Sequence, residues 1–194
     1  MAETDGYAQS PDWSPDGNKI VYALALPGAG SHIYITDISG KNTRPLVKRK
    51  KLEIGLTHID AVPKWHPDSE HILYRTATIQ MVEKGNEQVL EIVNEGSLEI
   101  RRESEPKSQK LMIPDALVFR TGCWAEGGNA VIFTASDNNN PDNPTDVYRY
   151  DMFTHAVRNI SNHPAHDYSP HWVDPTYPIY ALEKLTTQWA QLKK

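Results

Sequence analysis

Four short runs of β-branched and aromatic residues set the rhythm of the chain: KIVYAL (19–24), HILYRT (71–76), AVIFTA (130–135) and PIYAL (178–182). Such runs predict strands buried between stacked sheets. Each follows a tryptophan and a polar turn. The tryptophans are Trp13, Trp65, Trp124 and Trp172, spaced 52, 59 and 48 residues apart. The turns are Pro15-Asp16-Gly17, Pro67-Asp68-Ser69, Glu126-Gly127-Gly128 and Asp174-Pro175. Pro and Asp set up a tight turn, and Gly supplies positive φ. The first copy continues through HIYITDISGKNTRPLV, which predicts a third strand (His32 to Asp37), a Ser-Gly turn and a fourth strand ending at Val47. DVYRYDMFTHAVRNI does the same in the third copy, and QVLEIVNEGSLEIRRE predicts a hairpin turning at Asn94-Glu95-Gly96. No segment carries a clear helical period before residue 183.

A period of roughly 40–50 residues is the length of one four-stranded propeller blade. Each unit therefore reads as an antiparallel meander, which buries both its faces only when stacked around an axis with others. The predicted fold is all-β: a β-propeller of four-stranded blades at 7–50, 58–113, 117–162 and, in part, 166–182. The tryptophans are expected to fill the gaps between neighbouring blades. Residues 183–194 form a tail in which Leu185, Trp189 and Leu192 share one face of a short amphipathic helix. Three and a half blades leave an open edge, a hazard for unwanted pairing. The expectation is an open arc, either the C-terminal piece of a larger propeller or one that closes by self-association.

Charge and composition narrow the partners. The chain has 20 Lys and Arg against 25 Asp and Glu, a net charge of −5, which argues against a general nucleic-acid binder. The basic run Lys48 to Lys51 reads as a solvated linker. No apolar stretch approaches the ~18 residues of a membrane span, and MAETDGYAQS lacks the regions of a signal peptide. The single cysteine, Cys123, rules out an internal disulfide and any multi-cysteine metal site.

SPDWSPDGNKIVYAL followed by HIYITDISGKNTRPLV resembles the TolB-like, Pro-Asp-type β-propeller repeat. RNISNHPAHDYSPHW is similar to that family's link from one blade's last strand to the next blade's first. The resemblance covers residues 7–182 and is weakest in the third copy, where CWAEGGN replaces the Pro-Asp-Gly turn. Trp13, Pro15, Asp16, Gly17, Trp65, Pro67, Asp68, Trp124 and Trp172 are then structural residues of the repeat. The resemblance implies a binding or scaffolding propeller with a protein partner, periplasmic or extracellular.

Candidate chemistry is sparse. His163, His166 and His171 lie close in sequence with Asp167. Imidazole and carboxylate suit zinc, manganese or iron, and a resemblance to propeller lyases acting on uronic-acid sugars gives one enzymatic alternative. The plainer reading places these residues in an inter-blade link. Asp60 and Asp167 each stand five residues before a tryptophan, near the predicted channel mouth. There they present carboxylates to a partner or accept backbone N–H bonds within the link; Ala8 and Phe119 at the matching places leave any carboxylate ring incomplete. The loop Asp137 to Asp146 misses the Gly and Glu of a calcium loop and reads as a hairpin tip. No nucleophile elbow, phosphate loop or dinucleotide fingerprint is present. The expectation is a non-catalytic module without metal or cofactor, with Asp60, His166, Asp167 and His171 as candidate binding residues. A second alternative is an accessory propeller of a larger hydrolase.

Overall fold

A computed structural model describes residues 6–27, 29–47, 54–84, 87–139 and 144–173. The basic run, the tip of the 137–146 loop, the last predicted strand and the tail lie outside the described residues. The first unit is a meander of β1 (Tyr7–Trp13), β2 (Lys19–Leu26), β3 (Gly30–Asp37) and β4 (Arg44–Pro45). The second holds β5 (Leu56–Trp65), β6 (His71–Lys84), β7 (Glu87–Asn94), β8 (Leu98–Arg102) and β9 (Gln109–Lys110). A parallel bridge between Ser31 and Ile59 joins the two. The third unit is a separate four-stranded antiparallel sheet of β10 (Leu117–Ala125), β11 (Ala130–Asp137), β12 (Asp146–Asp151) and β13 (Val157–Asn159). The chain is all-β, an open partial propeller.

The second unit departs from the expected hairpin at Asn94-Glu95-Gly96. β7 and β8 do not pair with each other; both run antiparallel to β6, β8 along His71–Arg75 and β7 along Thr78–Lys84. Asn94 to Gly96 is an interruption within one side of that long ladder. Gly96 has φ 73°, and a Cβ there would meet the Thr76 carbonyl oxygen at 2.0 Å. The Asn94 side chain accepts the Gly96 amide N–H at 2.7 Å. Asn and Gly serve a bulge as readily as a turn, because both tolerate positive φ.

Alternate residues of each second strand face opposite neighbours, as a period of two requires. In β6, Ile72 and Tyr74 join Val21, Ile33, Ile35 and Trp65 in one buried cluster. Leu73 points the other way, into a cluster with Phe119, Trp124, Val131 and Phe133. In β11, Val131 and Phe133 face back, while Ala130 and Ile132 face forward with Cys123 and Ala125, against Trp172. Trp65, Trp124 and Trp172 thus pack against the unit before their own. Trp65 and Trp124 are 5% and 8% exposed, and the Trp124 Nε1–H donates to the Lys64 carbonyl at 3.1 Å.

Trp13 breaks the expected pattern. It is 58% exposed, because among the described residues no strand precedes β1 to cover it. Trp124→Ala is therefore expected to cost about 3–5 kcal/mol as a core truncation. Trp13→Ala should cost only about 0.5 kcal/mol, as a surface change does. Urea unfolding of the two variants checks this; equal losses would contradict it.

Candidate functional site

The first strand of every unit carries the same irregularity. Register slips between Gln9 and Asp12 in β1, between Ala61 and Lys64 in β5, and between Phe119 and Gly122 in β10. Ser10, Val62 and Ser169 each stand three residues before their tryptophan, with φ of 49°, 47° and 50°. Such a bulge bends the strand and re-aims the side chains after it. The residue just before the tryptophan is Asp12, Lys64, Cys123 or His171, and all four border one cavity of about 680 Å³. Four copies of one backbone position thus present four different chemistries to one hollow.

Hydrogen bonds hold this rim across unit boundaries. Asp12 Oδ2 accepts the Trp65 backbone N–H at 2.7 Å, and its Oδ1 accepts from Lys64 Nζ at 3.0 Å. The Cys123 sulfur takes the equivalent place opposite the Trp172 amide. Burial pushes the Cys123 thiol up from its ordinary value, with a smaller opposing pull from that amide. A protonated, buried thiol is a poor nucleophile. The indole nitrogens of Trp65 and Trp172, which also border the cavity, are buried without a hydrogen-bond partner among the described residues.

The predicted candidates do not gather in one place. Asp60 is fully buried; its carbonyl accepts from Ser31 Oγ at 2.9 Å, and its Oδ2 lies 3.5 Å from His32 Nδ1. Asp167 occupies the matching link after the third unit, its amide N–H donating to the Thr145 carbonyl at 2.7 Å and its Oδ2 buried. His166 Nδ1 accepts the Thr145 amide N–H at 3.0 Å while the ring stacks on Tyr168. Of the four, His171 borders the cavity. His163, His166 and His171 do not converge. Among the described residues, the side chains that bring three ligand atoms within 4.8 Å of one another are His66, Asp68 and His71, on a different turn.

Asp12, Lys64 and Cys123 escape the sequence reading. Their shared place beside the tryptophans is visible on alignment of the copies, but the bulge that turns them into the cavity is not.

No family model and no curated protein matches the chain. Solved structures do. TolB from Acinetobacter baumannii is similar at TM-score 0.52 and 18% identity, over 79% of this chain and 32% of that one. A candidate TolB from Agrobacterium tumefaciens gives TM-score 0.56 and 16% identity, over 89% and 56%. The fold is that of a TolB-like β-propeller. Prolyl oligopeptidase B from Galerina marginata is also similar, at TM-score 0.52 and 12% identity over 90% and 25%. This chain spans about a third to just over half of the two TolB-type structures, and a quarter of the peptidase.

Two measurements check the rim. Asp12→Ala should lower stability by about 1.5–3 kcal/mol, since it removes charged hydrogen bonds to Trp65 and Lys64; an unchanged urea midpoint would contradict that tie. Cys123 should react with a thiol reagent slowly at neutral pH in the folded protein and rapidly once it is unfolded. Fast labelling of the folded chain would contradict its burial.

Proposed function

We propose that the chain is a non-catalytic, TolB-like propeller module that binds a protein partner at the cavity where the tryptophan-bearing strands converge. The observation that carries this is the set Asp12, Lys64, Cys123 and His171 around one hollow. An acid, a base, an apolar thiol and an imidazole on a held backbone suit recognition of a mixed surface. Activated groups are missing from the same rim: Asp12 is engaged with Lys64 and the Trp65 amide, and the Cys123 thiol is held protonated. Likeness to TolB structures supports a propeller module, and likeness to a peptidase propeller supports a second reading, an accessory propeller within a larger hydrolase.

A tagged chain used as bait in an extract of its own organism tests the proposal. The wild type should retain a partner that mass spectrometry identifies. His171→Ala, at an exposed rim position, should bind the purified partner roughly tenfold more weakly while melting at the same temperature. Equal affinity of the variant would move the site elsewhere. Turnover of a peptide or uronic-acid substrate by the wild-type chain would overturn the non-catalytic reading.

A further inference from the structure

We propose that His66, Asp68 and His71, on the turn joining β5 to β6, form a binding site for a first-row dication of the zinc class. The site adjoins the cavity, because Pro67, Trp124 and Gly128 border it, but its three ligands do not line the cavity and it does not depend on the function proposed there.

The geometry comes first. His71 Nδ1 lies 2.7 Å from Asp68 Oδ2, and His66 Nδ1 lies 3.0 Å from Asp68 Oδ1. Both imidazoles thus aim the same ring nitrogen at one carboxylate, and the three ligand atoms lie within 4.8 Å of one another. Donors arranged tetrahedrally around a zinc-class ion, at bonds of about 2.0–2.2 Å, sit about 3.3 Å apart. The two imidazole–carboxylate pairs need to spread by only a few tenths of an ångström, and the remaining pair lies within 4.8 Å. Two imidazole nitrogens and one carboxylate oxygen are a donor set suited to zinc, and they leave a fourth position for water or a partner's side chain. All three side chains are partly exposed, which gives an ion a way in.

The His66 ring is pinned in the ligating pose. It packs edge-to-face on Trp124 with centroids 4.5 Å apart. On its other side Gly128, at φ 97°, leaves the space that the ring occupies; a Cβ there would fall 1.9 Å from His66 Nε2. Nδ1 is the nitrogen left facing the cluster. That atom is also 3.1 Å from the Asp68 amide N–H. Nδ1 has one lone pair, so an ion bound there takes the place of that amide N–H.

The turn itself does not need the imidazoles. In the first unit Asp16 builds the same turn, accepting from Ser14 Oγ at 2.6 Å and from the Asn18 amide at 3.1 Å. Ser14 and Lys19 stand where the second unit has His66 and His71, and Ala125 and Ala130 stand there in the third. The carboxylate is shared by the first two copies, with Gly127 at its place in the third, whereas the flanking pair of histidines is peculiar to the second.

Calorimetric titration of the tag-free chain with Zn2+, with bound metal counted by mass spectrometry, tests the site. One equivalent should bind and raise the melting temperature. His71→Lys installs the residue that the first unit uses and leaves the His66–Trp124 contact in place. It should melt like the metal-free wild type and bind Zn2+ more than about tenfold more weakly, since even outer-shell changes at metal sites reach that size. His163→Ala should bind Zn2+ as the wild type does. Absence of stoichiometric Zn2+ binding, undiminished binding by His71→Lys, or loss of binding in His163→Ala would overturn the assignment.

Discussion

Everything in this molecule rests on strands that bury both faces at once. β6 places Ile72 and Tyr74 against the first unit and Leu73 against the third. Fully burying one such apolar side chain contributes about 1.5–3 kcal/mol, and an isolated meander would leave both of its faces in water. Stability therefore belongs to the contacts between units. Trp65, Trp124 and Trp172 extend these contacts: each reaches back to the preceding unit, where the Trp124 indole also finds the Lys64 carbonyl. The outer face of the first unit, which no described strand covers, shows the contrast. Ile20, Tyr22, Leu24 and Tyr34 line an apolar hollow there, and Trp13 stands exposed on the adjoining strand.

The same stacking explains how a costly bulge is kept. A β-branched residue at positive φ, as at Val62, costs on the order of 1–3 kcal/mol and persists only where its surroundings impose it. The imposing contacts lie just downstream, where Asp12 grips the Trp65 amide and Lys64 from the neighbouring unit. The strain and the tie that holds it occur together, and their joint product is the cavity rim. Packing thus sets the position of the candidate site, and the site's side chains in turn join one unit to the next.

Much of this was legible in the sequence because it is local. The Pro15-Asp16-Gly17 turn, the period of two in KIVYAL and the recurrence of tryptophan each follow from a few neighbouring residues. Features that depend on a neighbour in space were not legible. The burial of a tryptophan is decided by the unit before it, so Trp13 and Trp124 look alike in sequence and differ in the fold. Asn94-Glu95-Gly96 suits both a hairpin turn and a bulge, and only the unusual length of β6 decides between them. His163, His166 and His171 crowd along the chain, but they lie in an irregular link after β13 and do not converge. His66 and His71, spaced around Asp68, meet because a turn folds them onto one carboxylate.

A repeat frees particular positions for chemistry, and the two candidate sites show how. The carboxylates of Asp16 and Asp68 do the same backbone work in two copies, where the third has Gly127. The places flanking them carry Ser14 and Lys19 in one copy and His66 and His71 in the other, on the same framework. The residue before each tryptophan behaves likewise, as Asp12, Lys64, Cys123 and His171. A rigid mount with an unconstrained side chain is what a binding site requires. Cys123 marks the limit of that freedom: its place on the rim is set by the bulge, but burial keeps its thiol protonated. The repeat supplies placement, while burial beside Ala125, Ala130 and Ile132 outweighs the pull of the nearby Lys64 on the thiol.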